Sequence, residues 1–465
     1  MVFSSITFLY YFLPCVLVLY FAAPRSMRNL VLLVASLVFY AWGEPKYVIL
    51  MAISIGIGYF SGLLIEKYRG RSLSLYITVI AVSACLALLG FFKYANFFAD
   101  NINKIAGADL LMIRIALPIG ISFFTLQIIS YIIDVHRGIK AEKNLIALAA
   151  YISMFPQLIA GPIVRYADIA ERLKAREESF DDAAYGIRRF ILGLGKKVLI
   201  ANMLGVFCDV FHDATDKSVV FFWLYAIAYM LHVYFDFSGY SDMAIGLGRI
   251  FGFHFLENFN YPFMAKSATE FWRRWHISLG SWFRDYVYIP LGGNRKGKGH
   301  WLANIFFVWM VTGFWHGAAW NFIIWGLFFG VVLVIEKLWL LSYLERSEVG
   351  SRIYTWIILL CSFVIFGAAD MGQAADYLGS MFGLGGHPLI TDECLYYLRS
   401  YGFVLVLAAV GATPLAKTAA ARLTTSKPTS KVLAIIEPLA LLLILMVSTA
   451  YLVDGSFNPF LYFRF

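Results

Sequence analysis

The stretch WLANIFFVWMVTGFWHGAAWNFIIWGLFFGVVLVIEKLWLL, residues 301–341, decides the fold class of this chain. It is apolar over about twice the ~20 residues that one helix needs to cross a bilayer, so it predicts two membrane helices. Gly-Phe-Trp-His-Gly, from Gly313 to Gly317, stands near its middle, and glycines at such a point favour a break. The stretch therefore predicts a broken helix pair at about 301–341, with His316 at the break.

The composition of the whole chain agrees with a membrane protein of many spans. Of its 465 residues, 61% are hydrophobic and 14% are charged, whereas soluble domains are about half apolar and a quarter charged. A water-soluble protein is therefore excluded. The fold class expected is all-α and polytopic, with about 11–13 transmembrane helices plus re-entrant or interfacial helices. Besides 301–341, the apolar runs lie near 6–23, 28–43, 47–65, 73–92, 110–133, 144–163, 186–210, 219–235, 353–369, 396–413 and 432–453.

The charges indicate how the chain is oriented in its membrane. The formal net charge is +9, but the basic residues cluster in short loops between apolar runs, a pattern that orientation signals and anionic lipid headgroups explain better than nucleic acid does. The positive-inside rule makes the loops at 266–298 and 417–431 cytoplasmic and both termini extracytoplasmic. The five cysteines are scattered, so neither a disulfide nor a metal site is expected.

His316 is the strongest candidate for chemistry. It lies roughly 22 Å along a helix from Trp301, deep in a bilayer core that is ~30 Å thick. An imidazole at that depth can stay neutral and act as a general base. The alternative, which the residues alone leave open, is a buried histidine that donates a hydrogen bond between helices.

An aromatic and basic segment at about 266–300 is expected to be amphipathic or re-entrant at the cytoplasmic boundary. Arg273, Arg274 and His276 could meet an anionic donor, because paired guanidiniums suit phosphate groups. The pattern alone favours a surface anchor. The large apolar side chains that fall near one helical face are Phe271, Trp272, Trp275, Leu279, Trp282 and Phe283.

A third group of polar residues interrupts the apolar run from His232 to Ala244. Such groups must pair internally or line a wet cavity. Hydrogen bonding between helices explains most of them. For Asp236 alone, a role in the site is given the same weight as a structural role. Pro290 to Asn294 is typical of a turn.

Together these motifs resemble the membrane-bound O-acyltransferase family, in its bacterial alginate O-acetylase branch. The resemblance covers nearly the whole chain. The matching motifs are Met1–Ser5, Leu117–Phe123, Tyr131–Val135, Tyr234–Gly246, Glu270–Leu279, Pro290–Arg295, Trp315–Gly317 and Asn458–Phe465.

The resemblance implies one catalytic domain over residues 1–465, whose helices surround a funnel. It also implies that His316 is the essential histidine and His276 the second one, with no bound cofactor and no metal. The candidate substrate-binding residues are Arg273, Arg274, Trp275, Trp315, Asp236, Tyr240 and Asn294.

The function expected is O-acyl transfer at the bacterial cytoplasmic membrane. The donor would be a cytosolic acyl thioester, acetyl-coenzyme A. The acceptor would be a hydroxyl of an extracytoplasmic polysaccharide, as in alginate biosynthesis, or of an exported partner of the SGNH acetyltransferase type. Membrane lipid is the other partner, and no nucleic acid is expected.

Three alternatives remain at this point. A D-alanyl transferase of teichoic acid would have the same two-histidine layout. A polysaccharide or lipid transporter would also have broken helices and polar groups at mid-membrane, although the paired repeats usual in transporters are not visible here. A non-catalytic membrane scaffold would tolerate loss of either histidine.

Overall fold

The computed structural model describes residues 1–113, 116–424 and 427–455. Within these ranges the chain forms helices and no strand, and the expected all-α polytopic fold is confirmed. The closing motif at 458–465 lies outside the described residues.

The helices follow one another through short connections. Their bounds are α1 Thr7–Ala22, α2 Arg25–Gly43, α3 Pro45–Lys67, α4 Ser72–Ala106, α5 Ile121–His136, α6 Leu145–Ser153, α7 Phe155–Leu158, α8 Tyr166–Lys174, α9 Phe180–Asp213, α10 Val219–Ile250, α11 Ala268–Arg274, α12 Ile277–Phe283, α13 Lys298–His316, α14 Trp320–Leu344, α15 Glu348–Gly367, α16 Met371–Met381, α17 Asp392–Gly411, α18 Leu415–Thr424 and α19 Lys427–Val453.

Nine helices in the described ranges are long and apolar enough to cross a membrane, namely α2, α3, α4, α9, α10, α14, α15, α17 and α19. Two shorter apolar helices, α1 and α5, accompany them. A helix satisfies its backbone N–H and C=O groups internally, which lipid cannot do for them. The chain is therefore a multi-pass membrane protein.

The chain divides into two compact units. The first comprises residues 1–190 and 243–256, and the second comprises 191–242 and 257–465. In the first unit α3 packs against α4 and α5, and α2 packs against α6. Its aromatic core includes Phe8, whose ring centroid lies 5.9 Å from that of Phe39.

The second unit holds the residues that the sequence marks as chemical. Its core combines the C-terminal part of α9 with α10, α14 and α15. The apolar stretch 301–341 is divided between α13 and α14, which are joined by three residues and pack closely against each other. Gly313 of α13 faces Gly326 of α14, and small residues at such a point let two membrane helices approach closely.

Gly313→Ala should destabilise the protein, because a Cβ there would overlap the carbonyl oxygen of Phe322. Overpacking of this kind costs about 1–3 kcal/mol, so we expect a lower thermal unfolding midpoint in detergent. Gly299→Ala is the matched control in the same helix, since a Cβ at Gly299 meets nothing within 4 Å. Equal midpoints for the two variants would contradict this account of the contact between α13 and α14.

Candidate active site

His316 is the last residue of α13, at the break between the two helices. Gly317 continues in an extended conformation, with φ −165° and ψ 153°. The Phe322 ring lies so close to Gly317 that a Cβ there would overlap it. Glycine at this position therefore lets the chain leave α13 directly after His316 with the Phe322 ring packed against it.

Aromatic rings surround the His316 imidazole. Its centroid lies 5.0 Å from Trp315, 5.2 Å from Trp325 and 5.5 Å from Phe366, and the residue is 7% exposed. Apolar surroundings disfavour the charged form of an imidazole. A neutral ring can accept a proton, as a general base must.

His276 lies between α11 and α12 in a left-handed backbone conformation, with φ 44° and ψ 52°. This conformation is uncommon for a residue other than glycine, and such strain is often found at functional sites. Burial, and secondly the neighbouring His316, hold the pKa of His276 well below its ordinary value. The ring is therefore neutral near pH 7.

Asn258 supports the unusual backbone at His276. Its carbonyl oxygen accepts from the Ile277 amide at 3.0 Å, and its side-chain Oδ1 accepts from the Ser278 amide at 3.2 Å and the Ser278 hydroxyl at 2.9 Å. His276 Nδ1 lies 3.2 Å from the same Oδ1. The start of α12 and the His276 imidazole therefore both contact the same buried residue, Asn258.

Both histidines line one cavity within the second unit. Its wall is mostly apolar, with Asp236, Ser362 and the two histidines as polar groups, and such a lining is typical of a small-molecule site. The described residues contain no cluster of three or more His, Cys, Asp or Glu suited to a metal ion. The lining residues are Val233, Asp236, Phe237, Phe271, Trp272, Trp275, His276, His316, Trp325, Phe329, Ser362, Phe363 and Phe366.

The cavity wall also carries a buried ion pair. Asp236 of α10 lines the cavity, and its Oδ1 lies 2.6 Å from Nζ of Lys197 in α9. Both side chains are almost fully buried, so each charge depends on the other in a medium of low dielectric constant. Lys197 belongs to a π-helical turn of α9, Lys196–Ala201, a distortion frequent at functional sites.

Comparison with known proteins identifies the family. A family model for the membrane-bound O-acyltransferases matches residues 137–360, which include both histidines. A probable alginate O-acetylase AlgI of Pseudomonas putida is 39% identical over the full length of both chains. A peptidoglycan O-acetyltransferase of Helicobacter pylori is 34% identical over 83% of this chain and 80% of its own.

The chain belongs to the membrane-bound O-acyltransferase family.

A more distant relative acts on a different polymer. A teichoic acid D-alanyltransferase of Bacillus subtilis is 31% identical, over 54% of this chain and 67% of its own. The alignment with the Pseudomonas putida protein, in contrast, leaves no part of either chain uncovered. The similarity to the alginate O-acetylase branch is thus the more extensive of the two.

In this acyltransferase the two predicted arginines lie outside the cavity. Arg273 is exposed. Arg274 contacts Glu270 Oε1 with Nε at 2.9 Å and Nη2 at 2.7 Å. Burial alone would raise the pKa of Glu270, but hydrogen bonds from Lys266 and Arg274, and their charges, hold it below its ordinary value. Glu270 therefore stays ionised and largely neutralises Arg274.

Only some of the other predicted binding residues of the acyltransferase line the cavity. Trp275 lines the cavity. Trp315 is buried, and its ring centroid lies 5.0 Å from that of His316 and 6.3 Å from that of His276. Tyr240 is buried in α10 but is not part of the cavity wall. Asn294 is exposed in the turn that precedes α13.

Sequence reasoning missed two polar residues of the acyltransferase site. Lys197 interrupts the apolar run at 186–210, and the rule that an ionisable group at membrane depth is a functional candidate could have found it. Asn258 follows α10 in an irregular segment, where nothing in the sequence indicates that it caps a helix eighteen to twenty residues later. The single aromatic face expected for 266–300 is divided by the break at His276.

Proposed function

We propose that this protein transfers an acetyl group from cytosolic acetyl-coenzyme A to a hydroxyl of an extracytoplasmic polysaccharide. The observation that carries the proposal is the pair of buried histidines on one cavity in a chain of this family. Two relatives that match most of the chain are named as acetyl-transferring proteins, one for alginate and one for peptidoglycan. The hydroxyl belongs either to the sugar or to an exported partner of the SGNH type that passes the acetyl group on.

His316 acts as the general base in the proposed reaction. The acceptor oxygen adds to the thioester carbonyl carbon while its proton moves to the imidazole. The carbon–sulfur bond then breaks, and the proton passes from the imidazole to the leaving thiolate. The products are the acetyl ester and free coenzyme A, and no covalent intermediate on the enzyme is required.

Residues 1–465 act in this proposal as one catalytic domain with a funnel that leads to the cavity. The domain lies in the bacterial cytoplasmic membrane, with both termini outside. The basic loop at 266–298 then faces the cytosol. That side is where coenzyme A thioesters are found, so Arg273 and Arg274 would meet the phosphates of the donor while its acyl end enters the cavity.

Arg273→Gln should raise the apparent KM for the donor about tenfold without changing kcat. Loss of one charge-assisted hydrogen bond to phosphate corresponds to ~1.4 kcal/mol or more. Arg274→Gln is the comparison variant, with a smaller expected effect because Glu270 already holds that guanidinium. Initial rates at varied donor concentration measure both. A fall in kcat with an unchanged KM would contradict the assignment of Arg273 to donor binding.

Release of coenzyme A thiol by the purified protein tests the function itself. We expect release that requires donor and acceptor together, with one ester formed per thiol. Movement of polysaccharide across vesicle membranes without donor would indicate a transporter instead. Transfer of D-alanyl in preference to acetyl would place the protein with the teichoic acid enzymes.

A further inference from the structure

Asn258 occupies a fully buried position between the polar part of α10 and the second histidine. The residue is 0% exposed. Its side-chain Nδ2 donates to the Ser241 hydroxyl at 3.1 Å, and its Oδ1 faces Ser278 and His276. Ser241 belongs to α10, so one amide side chain connects that helix to the imidazole.

The hydrogen-bond partners identify which atom of the Asn258 amide faces which neighbour. A backbone N–H can only donate, and the Ser278 amide lies 3.2 Å from this end of the side chain. That end is therefore the oxygen, and an amide oxygen can only accept. His276 Nδ1, which lies 3.2 Å from the same oxygen, must then carry a proton and donate it.

We infer that Asn258 is a positioning residue that holds His276 in the Nδ1–H tautomer, so that Nε2 is the basic nitrogen. A neutral His276 then offers a lone pair through Nε2, and it has no second N–H to donate. It can accept a hydrogen bond from a substrate O–H or N–H group, but it cannot act as a donor to a developing oxyanion. The tautomer itself does not depend on the proposed function. The role of Nε2 towards a substrate rests on that function.

An amide suits this position better than a carboxylate does. The second hydrogen bond of an imidazole sets its tautomer and orientation, and a carboxylate or a carbonyl oxygen commonly accepts it. A carboxylate would bring a buried charge next to the cavity, and buried charges are costly unless they are paired. Asn258 accepts the same three hydrogen bonds without that charge.

Nitrogen NMR of the wild-type protein in lipid bilayers tests the tautomer without any turnover. The protein is labelled with ¹⁵N-histidine, and the His276 signals are assigned by difference from His276→Gln. We expect a protonated Nδ1 and an unprotonated Nε2 at neutral pH. A ring protonated at Nε2, or at both nitrogens, would overturn the inference whether or not the protein transfers acetyl groups.

Steady-state kinetics test the role of Asn258 in the reaction. Asn258→Leu keeps the side-chain volume and removes the acceptor, so kcat should fall about 10- to 100-fold, as for outer-shell partners of other oriented histidines, with the donor KM unchanged. Asn258→Asp keeps an acceptor for His276 and should therefore retain more of kcat than Asn258→Leu does. Asn304→Leu is the matched control, because Asn304 is also buried and donates to the carbonyl oxygens of Tyr288 and Gly293.

The outcomes separate the inference from the proposed function. Unchanged kcat in Asn258→Leu, or an equal loss in Asn304→Leu, would overturn the positioning role. A wild-type protein that shows the expected tautomer but transfers no acyl group would leave the tautomer established and remove the proposed function. An Asn258→Asp variant that is folded but as slow as Asn258→Leu would also count against the inference.

Discussion

His316→Ala should lower the rate of acetyl transfer by about 10²–10⁴-fold, the contribution typical of a positioned general base. The imidazole lines the cavity at the end of α13, and alanine cannot take the proton from the attacking hydroxyl. In the proposed function other residues bind the donor, so the donor KM should change little. Thiol release by the purified variant, measured against wild type at saturating donor, gives the ratio of kcat values.

His232→Ala is the control for loss of a buried imidazole. His232 lies in α10 of the same unit, is 3% exposed and is not part of the cavity wall. We expect this variant, where it is folded, to keep kcat within about threefold, a difference of ~0.6 kcal/mol, because His232 does not line the cavity. A folded His316→Ala protein with wild-type kcat would remove His316 from the mechanism.

Lys197→Met should be the most destabilising of the substitutions considered. It leaves the Asp236 carboxylate buried with its 2.6 Å partner removed. Breaking a buried pair from one side costs about 3–5 kcal/mol. Reversible unfolding in mixed detergent micelles measures this loss as a free energy of unfolding.

The double variant Lys197→Met/Asp236→Leu should recover most of that stability, because replacing both partners by apolar groups removes the uncompensated charge. Lys104→Met is the surface control, since its pair with Asp100 is exposed on both sides and such pairs contribute about 0.3–0.5 kcal/mol. If Lys197→Met were no less stable than Lys104→Met, the assignment of Lys197 as the charge partner of Asp236 would be wrong.

The sequence predicts that this is a membrane protein, and it predicts most of the helices, because both depend on local runs of apolar residues. A run of apolar residues of spanning length forms a helix whatever surrounds it, as lipid leaves no other way to satisfy its backbone. The described helices correspond to most of the predicted runs. Two runs are exceptions. In 110–133 α5 begins only at Ile121, and 144–163 is divided between the short helices α6 and α7.

The site depends on contacts between distant parts of the chain, which a local pattern does not contain. The family motifs indicate both histidines. They do not indicate that Asn258 contacts His276 at the break in the 266–300 segment, because that contact joins residues eighteen positions apart through a loop. The sequence does contain the signal for the Glu270–Arg274 ion pair, since residues four apart on a helix are neighbours.

Mass analysis of cell-surface polysaccharide, from cells with and without this protein, tests acetyl transfer to a glycan most directly. We expect alkali-labile acetyl esters on the sugars of cells that carry the wild-type protein, and their loss from cells that lack it or carry His316→Ala. Identical acetylation of the polysaccharide in all three would contradict this expectation.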